Sequence, residues 1–184
     1  MDSLEHHFLI AMPSLKDPFF AGSVTYICEH NEEGAMGLVI NIPVEMQLHE
    51  LLHQLELEPE DVPELDQPVL QGGPVSADRG FVLHTPVDGF GSSRQLSDDL
   101  MVTTSRDVLE SLGTDEAPEK YLVTLGYAGW TPGQLEQELV ENSWLTVPAD
   151  SQLIFDTPIG QRWHQAIGRL GIDSRQLSSQ VGHA

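Results

Sequence analysis

Residues 8 to 43 read FLIAMPSLKDPFFAGSVTYICEHNEEGAMGLVINIP. Apolar runs at 7–12, 22–30 and 34–42 have strand length and are rich in β-branched and aromatic residues. His30, Asn31, Glu32 and Glu33 form a polar break between the last two, as a hairpin turn does. Within SVTYICEH, period-two alternation places Val24, Tyr26, Cys28 and His30 on one face and Ser23, Thr25, Ile27 and Glu29 on the other. Both faces carry apolar side chains, which predicts a central strand covered on two sides, with its polar end emerging at Glu29 and His30.

Working outward, the period changes at Met46 to Leu57. Leu48, Leu51, Leu52 and Leu55 make a helical stripe while Glu50, Gln54 and Glu58 point away. PEDVPELDQP then sets acids between prolines, which stops the helix and predicts an exposed loop. Strands are predicted at 68–71, 80–84, 100–103 and 121–127, with GGPVSAD at 72–78 as a turn. Ser105 caps a helix running to Leu112 and ended by Gly113. Thr131, Pro132 and Gln134 form a helix-start signature in which Trp130 and Leu135 make a hydrophobic staple. Residues 143–147 and 152–155 read as extended. A last helix opens at Thr157–Pro158, presents Ile159, Trp163, Ile167 and Leu170, and stops at Gly171. Strands outnumber helices and do not alternate with them, so the expected class is α+β. At 184 residues, without repeats or a dividing linker, residues 1–184 are expected to form a single domain.

The opening run, with GGPVSADRGFVLH at 72–84, LGYAGWTPGQLEQELVENSWL at 125–145 and IFDTPIGQRW at 154–163, resembles the bacterial YqgE/AlgH family over nearly the whole chain. That resemblance implies a bifurcated, mostly antiparallel β-sheet folded into a pseudo-barrel with helices packed outside. The AlgH side of it implies a regulator of transcription. It carries no biochemical activity that transfers residue by residue.

Charge narrows the function classes. Twenty-nine acidic residues against 8 basic ones give a net charge of -21, a field that repels duplex and anionic lipid alike. The basic residues are dispersed (Lys16, Arg79, Arg94, Arg106, Lys120, Arg162, Arg169, Arg175), so no stretch supplies a phosphate-tracking stripe. Direct nucleic-acid binding is therefore disfavoured, and the expected partner is a protein. Cys28 is the single cysteine, which excludes an intramolecular disulfide and a cysteine-rich zinc site and fits a reducing compartment. Asp2 and Glu5 stand where an export signal is basic, Pro13 cuts the first apolar run, and no run approaches transmembrane length. The expectation is a cytosolic protein without membrane contact.

Four groups of residues are candidates for chemistry. HELLH at 49–53 has the i, i+4 histidine spacing that places His49 and His53 on one metal with Glu50 activating a bound water. The leucines take the inward stripe and no third ligand follows in the local sequence, so exposed helix histidines are the commoner reading and no metal is assigned. Glu29, His30, Asn31 and Glu33, with Asn41 across the hairpin, form a polar cluster, of which Glu29, His30, Asn31 and Asn41 are the candidate binding residues. Cys28 and His30 on one face invite a thiolate–imidazole pair, yet a two-residue step of about 6–7 Å along a strand is long for it. Gly72 and Gly73 offer backbone amides to an anion, with Arg79 as a planar clamp. Trp130 offers a ring for stacking, although the staple already accounts for it. No GxSxG elbow is present, and no catalytic residue or cofactor is assigned. The expected function is non-enzymatic binding or regulation. The alternative is a small-molecule enzyme, a zinc-dependent hydrolase at His49, Glu50 and His53, or an anion site around Arg79.

Overall fold

The computed structural model describes residues 3–171. In chain order the first half holds β1 (His7–Ala11), β2 (Val24–Asn31), β3 (Gly34–Val39), β4 (Pro43–Gln47), α1 (Leu48–Gln54), β5 (Pro68–Gln71) and β6 (Val75–His84). The second half holds β7 (Ser93–Ser97), β8 (Leu100–Thr103), α2 (Arg106–Ser111), β9 (Tyr121–Trp130), α3 (Gln134–Val140), β10 (Trp144–Pro148), α4 (Ser151–Phe155) and α5 (Arg162–Gly168). The strands form one curled sheet in the order β10-β1-β2-β3-β9-β6-β8-β7, with β4 paired to β5 and β5 to β9. Every pairing is antiparallel except β5 with β9, and the fold is an α+β half-barrel, a mostly antiparallel curled sheet with several helices packed against it.

β9 is where the sheet forks. One of its edges pairs with β6 from Tyr121 to Tyr127, across a bulge, and the other is shared: β5 takes it at Thr124 and Leu125, then β3 takes it from Ala128 to Trp130. The handover happens at three glycines. The Gly72 amide donates to Leu125 O at 2.7 Å, while a Cβ on Gly73 would lie 1.9 Å from the Tyr127 carbonyl carbon. Gly126 adopts φ +79, with any Cβ 2.4 Å from Gly73 O. Backbone passes backbone too closely there for any side chain.

Alternation sorts the first strands onto two cores. Phe8 and Ile10 join Tyr26, Leu38, Phe81 and Leu83 against α4 and α5, while Leu9 and Ala11 join Ile27, Ala128 and Trp144 against α3. A third cluster sets Leu48, Leu51 and Leu52 of α1 and Val108 of α2 against Val82 and Val123 of the sheet. Each such side chain contributes roughly 1.5–3 kcal/mol on full burial, which explains why the strands of this chain are apolar on both faces.

Several elements differ from the sequence expectation. Residues 152–155 are helical, because the Asp150 carboxylate accepts the Leu153 N–H at 2.8 Å and caps α4. The stretch 72–78 is only half a turn, since β6 begins at Val75 and bulges before Gly80, with Ser76 at φ 47. α3 starts at Gln134 behind a left-handed Gly133, yet Gln134 Oε1 still accepts the Thr131 N–H at 3.0 Å, and Trp130 and Leu135 share a core cluster. β4 and β7 have no counterpart in the sequence reading. No described helix is long and apolar enough to cross a membrane.

Candidate functional site

The polar cluster expected at the β2–β3 hairpin centres on His30, and a β-bulge decides its surroundings. Ile27 faces Gly37 but Glu29 faces Met36, so Cys28 is the extra residue and the alternation flips after it. His30 therefore stands opposite Ala35 on the α3 side, whereas Cys28 stays in the core with Tyr26. The two side chains lie on opposite faces, which removes the thiolate–imidazole pair. Burial also pushes the Cys28 thiol up to about 12, so it stays protonated at neutral pH.

His30 is 7% exposed and fully engaged. Its Nδ1 accepts the Leu4 backbone N–H at 2.9 Å, which places the ring proton on Nε2, and Nε2 donates to Glu136 Oε1 at 2.5 Å. Residues 3–5 strap the strand end. Ser3 Oγ donates to His30 O at 3.2 Å and Glu5 Oε1 accepts the His30 N–H at 3.2 Å. With both ring nitrogens committed, the imidazole anchors α3 and the N-terminal segment to β2.

Around that anchor the surface is anionic. Glu29, Glu32 and Glu33 are exposed and Glu136 is half-buried. Asn31 Oδ1 accepts the Glu33 N–H at 2.7 Å, which fixes the hairpin turn. Arg94 of β7 reaches Glu29 at 3.5 Å and Glu5 at 3.7 Å and offsets part of the charge. Ser3, His30, Asn31, Glu32, Glu33 and Glu136 line a depression of about 750 Å³.

The remaining candidates lie elsewhere. Asn41 is at the far end of the hairpin, where Oδ1 accepts the Val24 N–H at 2.8 Å and Nδ2 donates to Gly22 O at 3.0 Å. Gly72 and Gly73 are buried in the fork, so their amides are closed to an anion. Arg79 is exposed on the β6 bulge, its guanidinium carbon 5.2 Å from the Phe81 ring centre. Trp130 is buried against Phe20 and Trp144. Both indole N–H groups donate to Glu138 Oε1, at 3.1 Å from Trp130 and 2.9 Å from Trp144, which leaves no open face for stacking. His49 and His53 are exposed on α1 while Leu48, Leu51 and Leu52 are buried. Glu50 Oε1 accepts the Gln47 N–H at 3.4 Å, and the described residues contain no group of three or more His, Cys, Asp or Glu side chains placed to hold a metal.

A model of the AlgH-like family, DUF179, matches residues 8–175. The chain belongs to the AlgH-like family. Relatives of the UPF0301 group match end to end: a protein of Pseudoalteromonas translucida is 57% identical over 185 residues, covering 100% of both chains, and one of Photobacterium profundum is 59% identical over 187 residues, covering 99% of this chain and 100% of its own. The solution structure of the AlgH protein from Pseudomonas aeruginosa superposes with a TM-score of 0.80 at 48% identity, over 100% of this chain and 99% of that one. A Corynebacterium diphtheriae protein shares the fold at TM-score 0.70 and 19% identity, over 92% of this chain and 88% of that one. In this AlgH-like chain, Glu136 and Arg94 complete the hairpin cluster although nothing in the local sequence marks them. Glu136 lies 106 positions from His30, and only the packing of α3 on the sheet joins the two.

Proposed function

We propose that this AlgH-like protein is a non-enzymatic binding protein that works through a protein partner, and that any influence on transcription is exerted indirectly through that partner. The observation that carries the reading is the hairpin end itself, where exposed Glu29, Glu32 and Glu33 stand on a backbone fixed by the His30–Glu136 bond and the Asn31 turn. A rigid anionic tip is complementary to a basic segment of a partner. Such charge steers encounter and selects against acidic surfaces, nucleic acid among them. The net charge of -21 gives the same preference at longer range.

The test is capture of partners on the full chain beside a Glu32→Lys/Glu33→Lys variant and an Arg79→Ala variant. The expected result is a partner released by raised salt, lost by the double variant and kept by Arg79→Ala. Retention by the folded double variant would contradict the reading. So would duplex binding at about micromolar strength in physiological salt, with an affinity that falls steeply as salt rises.

A further inference from the structure

The other end of the molecule holds a charge of the opposite sign. A cleft of about 480 Å³ runs between the start of β9 and the chain joining α4 to α5, and Arg162 lines it. Leu70, Tyr121, Leu122, Phe155, Pro158 and Ile159 give it apolar walls. Its volume falls in the range that holds a small organic molecule.

Arg162 is 4% exposed. Its Nε donates to Thr157 O at 3.0 Å and its Nη1 donates to Ile40 O, which uses two of the five guanidinium N–H groups. Both acceptors are neutral carbonyls. Among the described residues no carboxylate lies within 4.0 Å of the guanidinium, although the chain has 29 acidic side chains. Asp156, the acid nearest in sequence, is taken by Lys120 Nζ at 2.7 Å on the rim of the same cleft. A buried charge without a counter-ion is costly, and proteins ordinarily pair it. Burial accordingly pulls the Arg162 guanidinium down to about 10, with no neighbouring charge opposing that shift.

We propose that this cleft binds a small organic carboxylate, its anionic head on the free N–H groups of Arg162 and its apolar body against Tyr121, Leu122, Phe155 and Ile159. The planar guanidinium matches a carboxylate's two oxygens. Glu64, Glu119 and Asp156 also line the cleft, and they select against a dianionic phosphate while tolerating a monoanion held close to the arginine. The walls supply the rest of the affinity by burying apolar surface. The site is separate from the acidic hairpin, and its failure would leave the partner-binding proposal intact.

The experiment is a nuclear magnetic resonance titration of the full isotope-labelled chain at low salt with phenylacetate, octanoate, the neutral analogue phenylacetamide, and inorganic phosphate. Phenylacetate or octanoate is expected to shift the Arg162 side-chain N–H and the Tyr121 and Leu122 amides saturably. Phenylacetamide should bind at least about tenfold more weakly and phosphate no more tightly than the carboxylates. A Glu64→Gln/Glu119→Gln variant, altered only at exposed positions, should bind the carboxylate about threefold more tightly, because two repelling charges are gone. Arg162→Gln should abolish binding with the sheet amides in place. If that variant does not fold, the contrast between carboxylate and amide on the wild-type chain and the gain in the double glutamine variant decide the matter. The proposal is overturned if neither carboxylate gives a saturable shift up to about 20 mM, if the amide binds equally, if phosphate binds more tightly, or if the double variant shows no gain.

Discussion

His30 near the tip of the β2–β3 hairpin and Arg162 at the start of α5 are both buried side chains able to carry positive charge, and only the first has a carboxylate against it. His30 finds Glu136 at 2.5 Å and gives its other nitrogen to the backbone of the N-terminal strap. Arg162 finds two carbonyls and a cleft. A polar group whose partners all come from its own chain is part of the scaffold, whereas one that keeps unused donors beside an apolar hollow is prepared for something from outside. Under the two proposals, the hairpin end would bind through the surface around its anchor, and the cleft through the anchor itself.

Substitutions can break or sharpen this contrast. The largest effect is expected for Arg162→Met, which keeps the apolar volume but leaves the carbonyls of Ile40 and Thr157 without charged donors. A loss of about 3 kcal/mol in denaturant unfolding is predicted. A loss below about 1 kcal/mol would mean that these bonds do not hold α5 to the sheet.

Next, taken per pH unit, comes alkaline pH. The Cys28 thiol, ordinarily near 9.0, sits at about 12 when folded, so between these values the unfolded chain has released a proton that the folded chain retains. Stability is therefore full below pH 9 and falls as pH rises toward 12, by at most about 1.4 kcal/mol per unit from this group. Tyr26, also raised by burial, adds a loss of the same sign above its ordinary value of 10.0. Cys28→Ala should remove one proton's share of the slope, and an unchanged slope would refute the buried thiol.

A smaller loss, about 1–2 kcal/mol, is expected for Glu136→Leu, because His30 Nε2–H loses its acceptor. Glu136→Gln should cost less than half of that, since an amide oxygen still accepts; equal losses would show that charge rather than hydrogen bonding matters there. The smallest effect belongs to Arg94→Ala. Its pairs with Glu5 and Glu29 are exposed and long, so a change below about 0.5 kcal/mol that fades with added salt is predicted.

Much of the scaffold could be read from residue patterns because the determinants are local. The leucine stripe of α1, the Thr131–Gln134 contact with its Trp130–Leu135 staple, and the two-faced apolar strands all depend on neighbours within a few positions. Determinants that lie elsewhere in the chain were not visible. A single extra residue at Cys28 turns His30 to the other face, and no composition signal announces a bulge. Gly72 and Gly73 look like an anion cradle in isolation and become a fork only once β9 divides one edge between two strands. Arg162 reads as one more dispersed basic residue, since its carbonyl partner at Ile40 lies 122 positions away. Asp150 is a local determinant of a different kind: its carboxylate accepts the N–H three residues on and turns 151–155, whose apolar residues also suit a strand, into a helix.

The most direct test of the contrast is one pair of amide spectra of the wild-type chain, titrated with tetralysine and with phenylacetate. Tetralysine should move the amides of Glu29 to Gly34 and leave the cleft alone, and phenylacetate should move Tyr121, Leu122 and the Arg162 side chain and leave the hairpin alone. Overlapping shifts, or shifts confined to neither place, would contradict the account.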